Sequence, residues 1–137
     1  MNFLIKKGNN YITSVQDFTL KISNMRTTYL YKIRHNDNAQ KLERYQEFFV
    51  NGEVRFDLEK SSYCTNDEII ELMNNCKVMK WDGFHGKHPK NVSDGTMFSF
   101  TATVNDGQII RADGSQNFPK GYCEFVRALD EMLSDSK

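Results

Sequence analysis

The sequence predicts an α+β fold: a single antiparallel sheet of about five to seven strands with two helices packed on one face. Three observations indicate this class. Apolar and polar residues alternate through much of the first 60 residues, a capping box introduces a helical pattern after residue 65, and a second helical stripe ends the chain. Because alternating strands and amphipathic helices each have one apolar face, the economical arrangement buries both helices against one face of the sheet.

The first half of the chain predicts an antiparallel meander. Period-2 alternation over residues 18–22 and 29–33 indicates two strands joined through residues 23–26. A polar cluster at residues 35–38 predicts the next turn, and a further short strand is expected around residues 3–5.

A second pair of strands is expected around Asn51-Gly52. This dipeptide lies between the apolar stretches 45–50 and 54–58 and is a strong signal for a two-residue hairpin. Residues 39–49 remain open to two interpretations, strand or helix, because four of their apolar residues also have helical spacing. These four are Leu42, Tyr45, Phe48 and Phe49.

The second half begins with a helix. Thr65 and Glu68 have the spacing of a capping box, in which the threonine hydroxyl accepts from the N3 amide and the glutamate accepts from the N-cap amide. Apolar residues then follow at helical spacing, so a helix is predicted over residues 66–76.

A hairpin and a final helix follow. The hairpin is expected over residues 96–112, with a turn at residues 105–107, and Ser93-Asp94-Gly95 is expected to open it. The Asp113-Gly114 pair predicts a further turn. Pro119 suits the first position of a helix, because its missing N–H would be unpaired there anyway, so the last helix is predicted over residues 119–134.

Length and composition predict one domain spanning residues 1–137, with residues 1–60 mainly in strands and residues 65–137 forming helix, hairpin and C-terminal helix. The chain has 18 Lys+Arg against 18 Asp+Glu and 39% hydrophobic residues, which suffices for one core. A dedicated nucleic-acid binder or a polybasic membrane-surface protein would show a surplus of positive charge, so neither a nucleic acid nor a membrane is expected as partner.

The cysteines and the first residues predict a cytoplasmic location. Three cysteines, without a C-x-x-C pair, do not suit a disulfide framework, so reduced thiols are expected. The N-terminal residues offer three apolar side chains and then two lysines, which is not the pattern of a secretory signal.

Several aromatic and glycine positions in the second half resemble a group of small bacterial proteins and lipoprotein domains. The matching segments are Trp81-Asp82-Gly83-Phe84, the strand that starts at Asp94-Gly95, the Asp106-Gly107 turn, and the stretch from Gly114-Ser115 through Phe118-Pro119. The group has a W-x-G-[FY] segment, a DG-x-x-[FW]-[ST]-[FL] strand, a DG turn and a G-[ST]-x-x-[FY]-P entry to a last helix. The resemblance implies no catalytic, cofactor or metal-binding residues.

The loop at residues 83–91 contains the most suggestive chemistry. His85 and His88 form H-x-x-H beside Asp82, and the surrounding lysines are Lys77, Lys80, Lys87 and Lys90. A structural zinc needs four ligands and a catalytic zinc usually three, and no further candidate lies nearby, so neither a metal nor another cofactor is expected. Two interpretations of the lysines remain, a solvated loop and a contact for an anion or an acidic partner.

Other candidate residues have simpler interpretations. Cys123, early in the last helix, could be a nucleophile beside His85 or His88, but a packed and inert thiol is the favoured interpretation. Trp81 is expected to pack in the core rather than serve as a stacking platform. The aspartates that precede Gly95, Gly107 and Gly114 are explained by turns.

The sequence therefore favours a non-enzymatic binding module that interacts with another protein, with no catalytic residues. Its contact surfaces are expected to be the exposed sheet face, including Tyr29, Tyr31 and Thr101, and the loop at residues 83–91. The candidate binding residues are Trp81, Asp82, His85, Lys87, His88, Lys90, Tyr29 and Tyr31. The alternative is a small-molecule-binding or hydrolytic enzyme that uses His85, His88 and Asp82. The sequence leaves the oligomeric state open.

Overall fold

The computed structural model describes residues 11–36, 39–92 and 95–134 and shows one mostly antiparallel sheet of seven strands with two α-helices. The strands are β1 (Val15–Ser23), β2 (Thr28–Asn36), β3 (Ala39–Val50), β4 (Glu53–Cys64), β5 (Phe84–Gly86), β6 (Met97–Val104) and β7 (Gln108–Ser115). The helices are α1 (Asn66–Asn75) and α2 (Tyr122–Ser134), and a 3₁₀ turn covers Val78–Trp81.

The order of strands across the sheet is β4-β3-β2-β1-β6-β7-β5. All neighbouring pairs are antiparallel except β5 and β7, which run parallel. The four strands of the first half therefore form a meander on one side of the sheet, and the β6–β7 hairpin joins at β1. The two edges are β4, which has 12 residues, and β5, which has three.

Both helices cover the same face of the sheet, which we call the covered face; the other is the open face. The side chains of Phe18, Phe100 and Ile33 point to the covered face and are at most 2% exposed. Phe125 of α2 packs against Phe18 with ring centroids 5.6 Å apart, and Ile69 of α1 belongs to the same core. This arrangement confirms the predicted fold class, because the alternation of each strand buries one face only.

Local signals placed several elements correctly. The Thr65 hydroxyl accepts from the Glu68 N–H at 3.0 Å, and the Glu68 carboxylate accepts from the Thr65 N–H at 2.7 Å, so the predicted capping box forms. Asn51 and Gly52 have φ of 53° and 81°, as the two-residue turn requires. Residues 39–49, for which two interpretations were open, form strand β3.

Three local predictions are wrong. Asp113-Gly114 lies inside β7 rather than in a turn, and part of the expected loop at residues 83–91 forms strand β5. The last helix begins at Tyr122, not at Pro119, whose carbonyl accepts from the Tyr122 N–H at 3.1 Å. Gly121 explains this delay, since its φ is 91° and a Cβ there would lie 2.2 Å from the Cys76 carbonyl oxygen.

Two predictions fall on residues outside the described ranges. These are the short strand around residues 3–5 and the Ser93-Asp94 part of the turn before β6. The polar turn at residues 35–38 is described only up to Asn36, where β2 ends.

Candidate functional site

The segment that contains Asp82, His85 and His88 lies along β7, and each of the three side chains contacts a different residue or backbone group of that strand. The Asp82 carboxylate accepts from the Arg111 N–H at 2.9 Å. His85 Nδ1 lies 2.9 Å from Asp113 Oδ1, and His88 Nδ1 lies 2.7 Å from Ser115 Oγ. These contacts hold the segment against the edge of the sheet.

The geometry does not bring the three side chains to one point. Arg111, Asp113 and Ser115 are alternate residues of a strand, so the first and last attachment points are separated by about 13 Å. His85 is 74% exposed at its side chain, and its contact with Asp113 is open to solvent. A solvent-screened contact of this kind contributes little, and β5 is joined to β7 by the parallel backbone pairing of residues 84–86 with residues 112–114.

The lysines of the same region are exposed. Lys77, Lys80, Lys87 and Lys90 all lie at the surface, as both interpretations of these lysines predict. Among the residues that the structure describes, no group of three or more His, Cys, Asp or Glu side chains is placed to hold a metal ion.

Tyr29 and Tyr31 do not lie on the exposed face, so that expectation was wrong. Register pairs Tyr31 with Leu20 and Tyr29 with Ile22, which places both rings on the covered face. Tyr31 is 3% exposed and Tyr29 packs against the core. The predicted alternation places Tyr29 and Tyr31 on one face of β2, as the structure shows. Alternation alone does not say which of the two faces the helices cover. Thr101 is exposed on the open face, as expected.

Tyr31 belongs to a polar cluster that ties α2 to the sheet. Its hydroxyl donates to Asp130 at 2.7 Å, and Arg44 donates to Asp130 at 2.9 Å and to Glu59 at 2.8 Å. Burial, and then the hydrogen bond to Asp130, raise the pKa of Tyr31 well above its ordinary value of 10.0. One guanidinium thus links two carboxylates, and the Tyr31 hydroxyl donates to one of them, so the cluster is hydrogen-bonded across α2, β2, β3 and β4, which is typical of a structural network.

A second polar cluster surrounds Glu43, which is buried although it lies on the open face. Its carboxylate accepts from the Tyr45 hydroxyl at 3.0 Å and lies 3.7 Å from Arg34 and 4.0 Å from Lys41. Burial and the neighbouring carboxylate raise the pKa of Tyr45. Long side chains from two strands thus cover this part of the open face without a helix.

Trp81 and the cysteines have the following environments. Trp81 is 1% exposed, and its indole N–H donates to the Lys120 carbonyl at 2.9 Å, so the core interpretation is confirmed. Cys64 and Cys76 are buried, and burial raises the pKa of both thiols, that of Cys64 to about 11. Cys123 is exposed, so the favoured expectation of a packed thiol was wrong for this residue.

Among the described residues, the largest concentration of exposed apolar side chains lies on the β3–β4 hairpin, a surface that was not among the sites predicted from the sequence. We use the name hairpin patch for the apolar open-face residues of this hairpin together with Leu30 of the neighbouring strand β2: Leu30, Tyr45, Phe49, Val54, Phe56 and Leu58. Phe49 is 74% exposed and Leu58 is 50% exposed. Register sets Leu30, Tyr45 and Leu58 side by side and pairs Phe49 with Val54. Glu47, which pairs with Phe56, separates Tyr45 from Phe49 on β3, so the apolar surface is continuous along β4.

The hairpin also projects beyond the rest of the sheet. Strand β2 begins at Thr28, next to Tyr29, whose partner in β3 is Gln46. Of the described strands, only β4 therefore pairs with the last residues of β3, and Phe48, Phe49 and Val50 are all exposed. The consecutive apolar residues at 48–50 interrupt the alternation of β3, which is the signal that could have revealed this surface.

The two edges of the sheet differ in a way that matters for binding. Strand β5 is only three residues long, and Pro89 follows shortly after it, which are common protections of an edge. Strand β4 has 12 residues with alternating apolar side chains on the open face, and among the described strands none pairs with its outer side. A long apolar edge of this kind is the type to which another strand can add.

Comparison of the chain with protein-family models, curated proteins and solved structures finds no match, so the resemblance seen in the sequence stays a prediction. Neither α-helix in the described ranges has the length and hydrophobicity needed to cross a bilayer.

Proposed function

We propose that this protein is a non-enzymatic interaction module that binds another protein chain through the hairpin patch and the β4 edge. The observation that supports this most directly is the exposure of contiguous apolar side chains on β4, an edge strand whose outer side pairs with no other described strand. Contiguous apolar surface on a small protein is typical of a protein contact site. Main-chain groups of β4 supply affinity, and the side chains of the patch supply specificity.

The separation of His85, His88 and Asp82 along β7 supports a module without catalysis. A hydrolytic enzyme would require a base and a partner directed at one substrate atom, and here each side chain contacts its own position on the strand. The loop at residues 83–91 therefore serves the fold, and the contact surface moves from that loop to the opposite edge of the sheet.

The test is a capture experiment with the intact chain and a Leu58→Lys variant as baits. Lysine at position 58 keeps the aliphatic stem and adds a charge in the middle of the patch, so a partner that covers Leu58 would leave an unpaired ammonium at the interface. We expect the captured amount of each partner that binds the patch to fall at least tenfold. A disruptive change at a central contact residue usually costs about 2 kcal/mol or more of binding free energy.

Ile109→Lys is the matched control, because Ile109 is 44% exposed on the same open face but lies far from the hairpin, on β7. If both variants lost a partner equally, the loss would not be specific to the hairpin patch, and this result would contradict the proposed binding site. Partners retained fully by Leu58→Lys would reject the proposal, provided that circular dichroism shows the variant folded.

A further inference from the structure

We propose that the chain which adds to β4 is a second copy of this protein, paired edge to edge and antiparallel about a two-fold axis at Phe56. This inference rests on the proposed function, because it names the partner of the same surface. The two sheets would join as β3-β4 of one copy followed by β4-β3 of the other, so that one continuous sheet results. An isologous arrangement of this type uses one patch twice.

The backbone of β4 has the groups that such pairing needs. Asn51 and Gly52 make a two-residue turn, and the residues that flank a turn of this length form a hydrogen-bonded pair. Alternation along the strand then turns the N–H and C=O groups of Val54, Phe56 and Leu58 away from β3, toward the open side of the edge. Two copies centred on Phe56 can form about six backbone hydrogen bonds between these residues.

The charges of β4 are self-complementary in this register. Rotation about Phe56 places Arg55 opposite Asp57 of the second copy, and the reverse pair forms as well. Val54 lies opposite Leu58 of the second copy, and the two Phe56 side chains face each other. Opposite charges and apolar pairs directly across two strands both stabilise a sheet.

The neighbouring two-fold registers are worse. A two-fold axis at Arg55 or at Asp57 places that residue opposite the same residue of the second copy, so that like charges are in contact. An axis at Leu58 sets Asp57 opposite Glu59. Among the axes from Arg55 to Leu58, only the one at Phe56 therefore pairs Arg55 and Asp57 with opposite charges.

The end of the paired region also tolerates this register. Glu53 comes opposite Glu59 of the second copy, but the register of β4 shifts at this point. The Glu59 carboxylate also lies 2.8 Å from the Arg44 guanidinium, which it shares with Asp130 and which offsets part of its charge. Lys60 comes opposite Gly52 and thus lies beside Glu53. In the single chain, Arg55 and Asp57 are 2.9 Å apart and solvent-exposed, so both are accessible to a second copy.

The experiment is sedimentation of the full chain and of two single charge reversals, Arg55→Asp and Asp57→Arg. Either variant places like charges opposite each other at both symmetric positions, so we expect the dissociation constant of the dimer to rise roughly tenfold or more. Each variant also loses the contact between residues 55 and 57 within its own strand.

An equimolar mixture of the two variants separates these effects. In a mixed pair, the two aspartates of one chain face the two arginines of the other, so we expect the mixture to associate as strongly as the unmodified chain. Contacts within a strand cannot be restored by mixing. The double variant Arg55→Asp/Asp57→Arg, in which the charges are exchanged, should also dimerise like the unmodified chain.

Two results would overturn the inference. One is a monomeric unmodified chain at concentrations up to roughly 1 mM, where even weak pairing is populated. The other is a dimer whose dissociation constant neither charge reversal raises, or whose affinity the equimolar mixture does not restore. Circular dichroism checks that the variants are folded. A chain that stays monomeric but loses a captured protein with Leu58→Lys would reject self-pairing and leave the proposed function in place.

Discussion

At the scale of single residues, burial separates side chains that look equivalent in the sequence. The three cysteines have no distinguishing motif, yet Cys64 and Cys76 are enclosed by the core and Cys123 faces solvent on α2. Removing a thiolate from water is costly, so burial raises the pKa of the Cys64 thiol from 9.0 to about 11. The buried thiol therefore keeps its proton in the folded protein at pH values where the unfolded chain has lost it.

This difference predicts a decline in stability at alkaline pH. Between pH 9 and about 11 the folded state binds one more proton at Cys64 than the unfolded state, so the free energy of unfolding falls as pH rises through that window. The contribution is fully present below pH 9. We expect Cys64→Ala to give a shallower pH dependence in urea unfolding, by up to about 1.4 kcal/mol per pH unit.

Cys123→Ala is the control for this measurement, because it removes a thiol that is already exposed. Its unfolding curve should have the same pH dependence as that of the unmodified chain. If Cys64→Ala retains the full alkaline slope, the ionisation of Cys64 does not contribute to it.

At the scale of elements, identical dipeptides adopt different structures according to what packs against them. Asp106 has φ of 62° and lies in the turn between β6 and β7, as its sequence predicts. Asp113-Gly114 continues β7 instead, because Gly114 lies where neighbouring chain segments approach closely. A Cβ at Gly114 would lie 2.2 Å from the Asn117 carbonyl oxygen and 2.8 Å from the Phe98 ring.

Gly114→Ala should therefore destabilise the protein. The added methyl meets a backbone oxygen that cannot move without displacing the chain between β7 and α2, so we expect a loss of about 1–3 kcal/mol in the free energy of unfolding. Urea denaturation measures it. Arg111→Ala, an exposed position on the same strand, should change stability by less than about 0.5 kcal/mol. Equal stability of the two variants would contradict the close packing at Gly114.

At the scale of the whole molecule, stability and binding surface lie in different parts of the sheet. Strands β1 and β6 are at its centre, with neighbours on both sides and side chains buried beneath α2. Among the described elements, neither a third strand nor a helix covers the exposed apolar residues at the end of the β3–β4 hairpin. The part of the sheet that contributes least to the core is thus the part available to a partner.

Amide hydrogen exchange should show this division. At low protein concentration we expect the amides of β1 and β6 to exchange most slowly, and those of residues 48–50 and 53–55 to exchange fastest among the strands. At high concentration, protection should increase at residues 54–58 if the edge pairs with a second copy. Hairpin amides that exchange as slowly as those of β1 in the dilute protein would contradict the assignment of this end as the least stable.

The sequence by itself determined the kinds of elements, because the signals for them act over a few residues. Alternation set the strands of the first half, Thr65 and Glu68 set the start of α1, and Asn51-Gly52 set the tightest hairpin. Together these local preferences were enough to predict the α+β class and the placement of two helices on one face.

Only the tertiary structure decided which face, which edge and which neighbour each side chain meets. Tyr31 contacts Asp130, 99 residues away, and His85 contacts Asp113, 28 residues away; no local pattern specifies either contact. The exposure of Leu58 likewise depends on β4 being the edge strand. Strand order is fixed by the summed burial of the whole sheet. The apolar residues at 48–50 mark the end of the hairpin in the sequence, but only the folded molecule shows that β4 is an edge strand and that its apolar side chains are exposed.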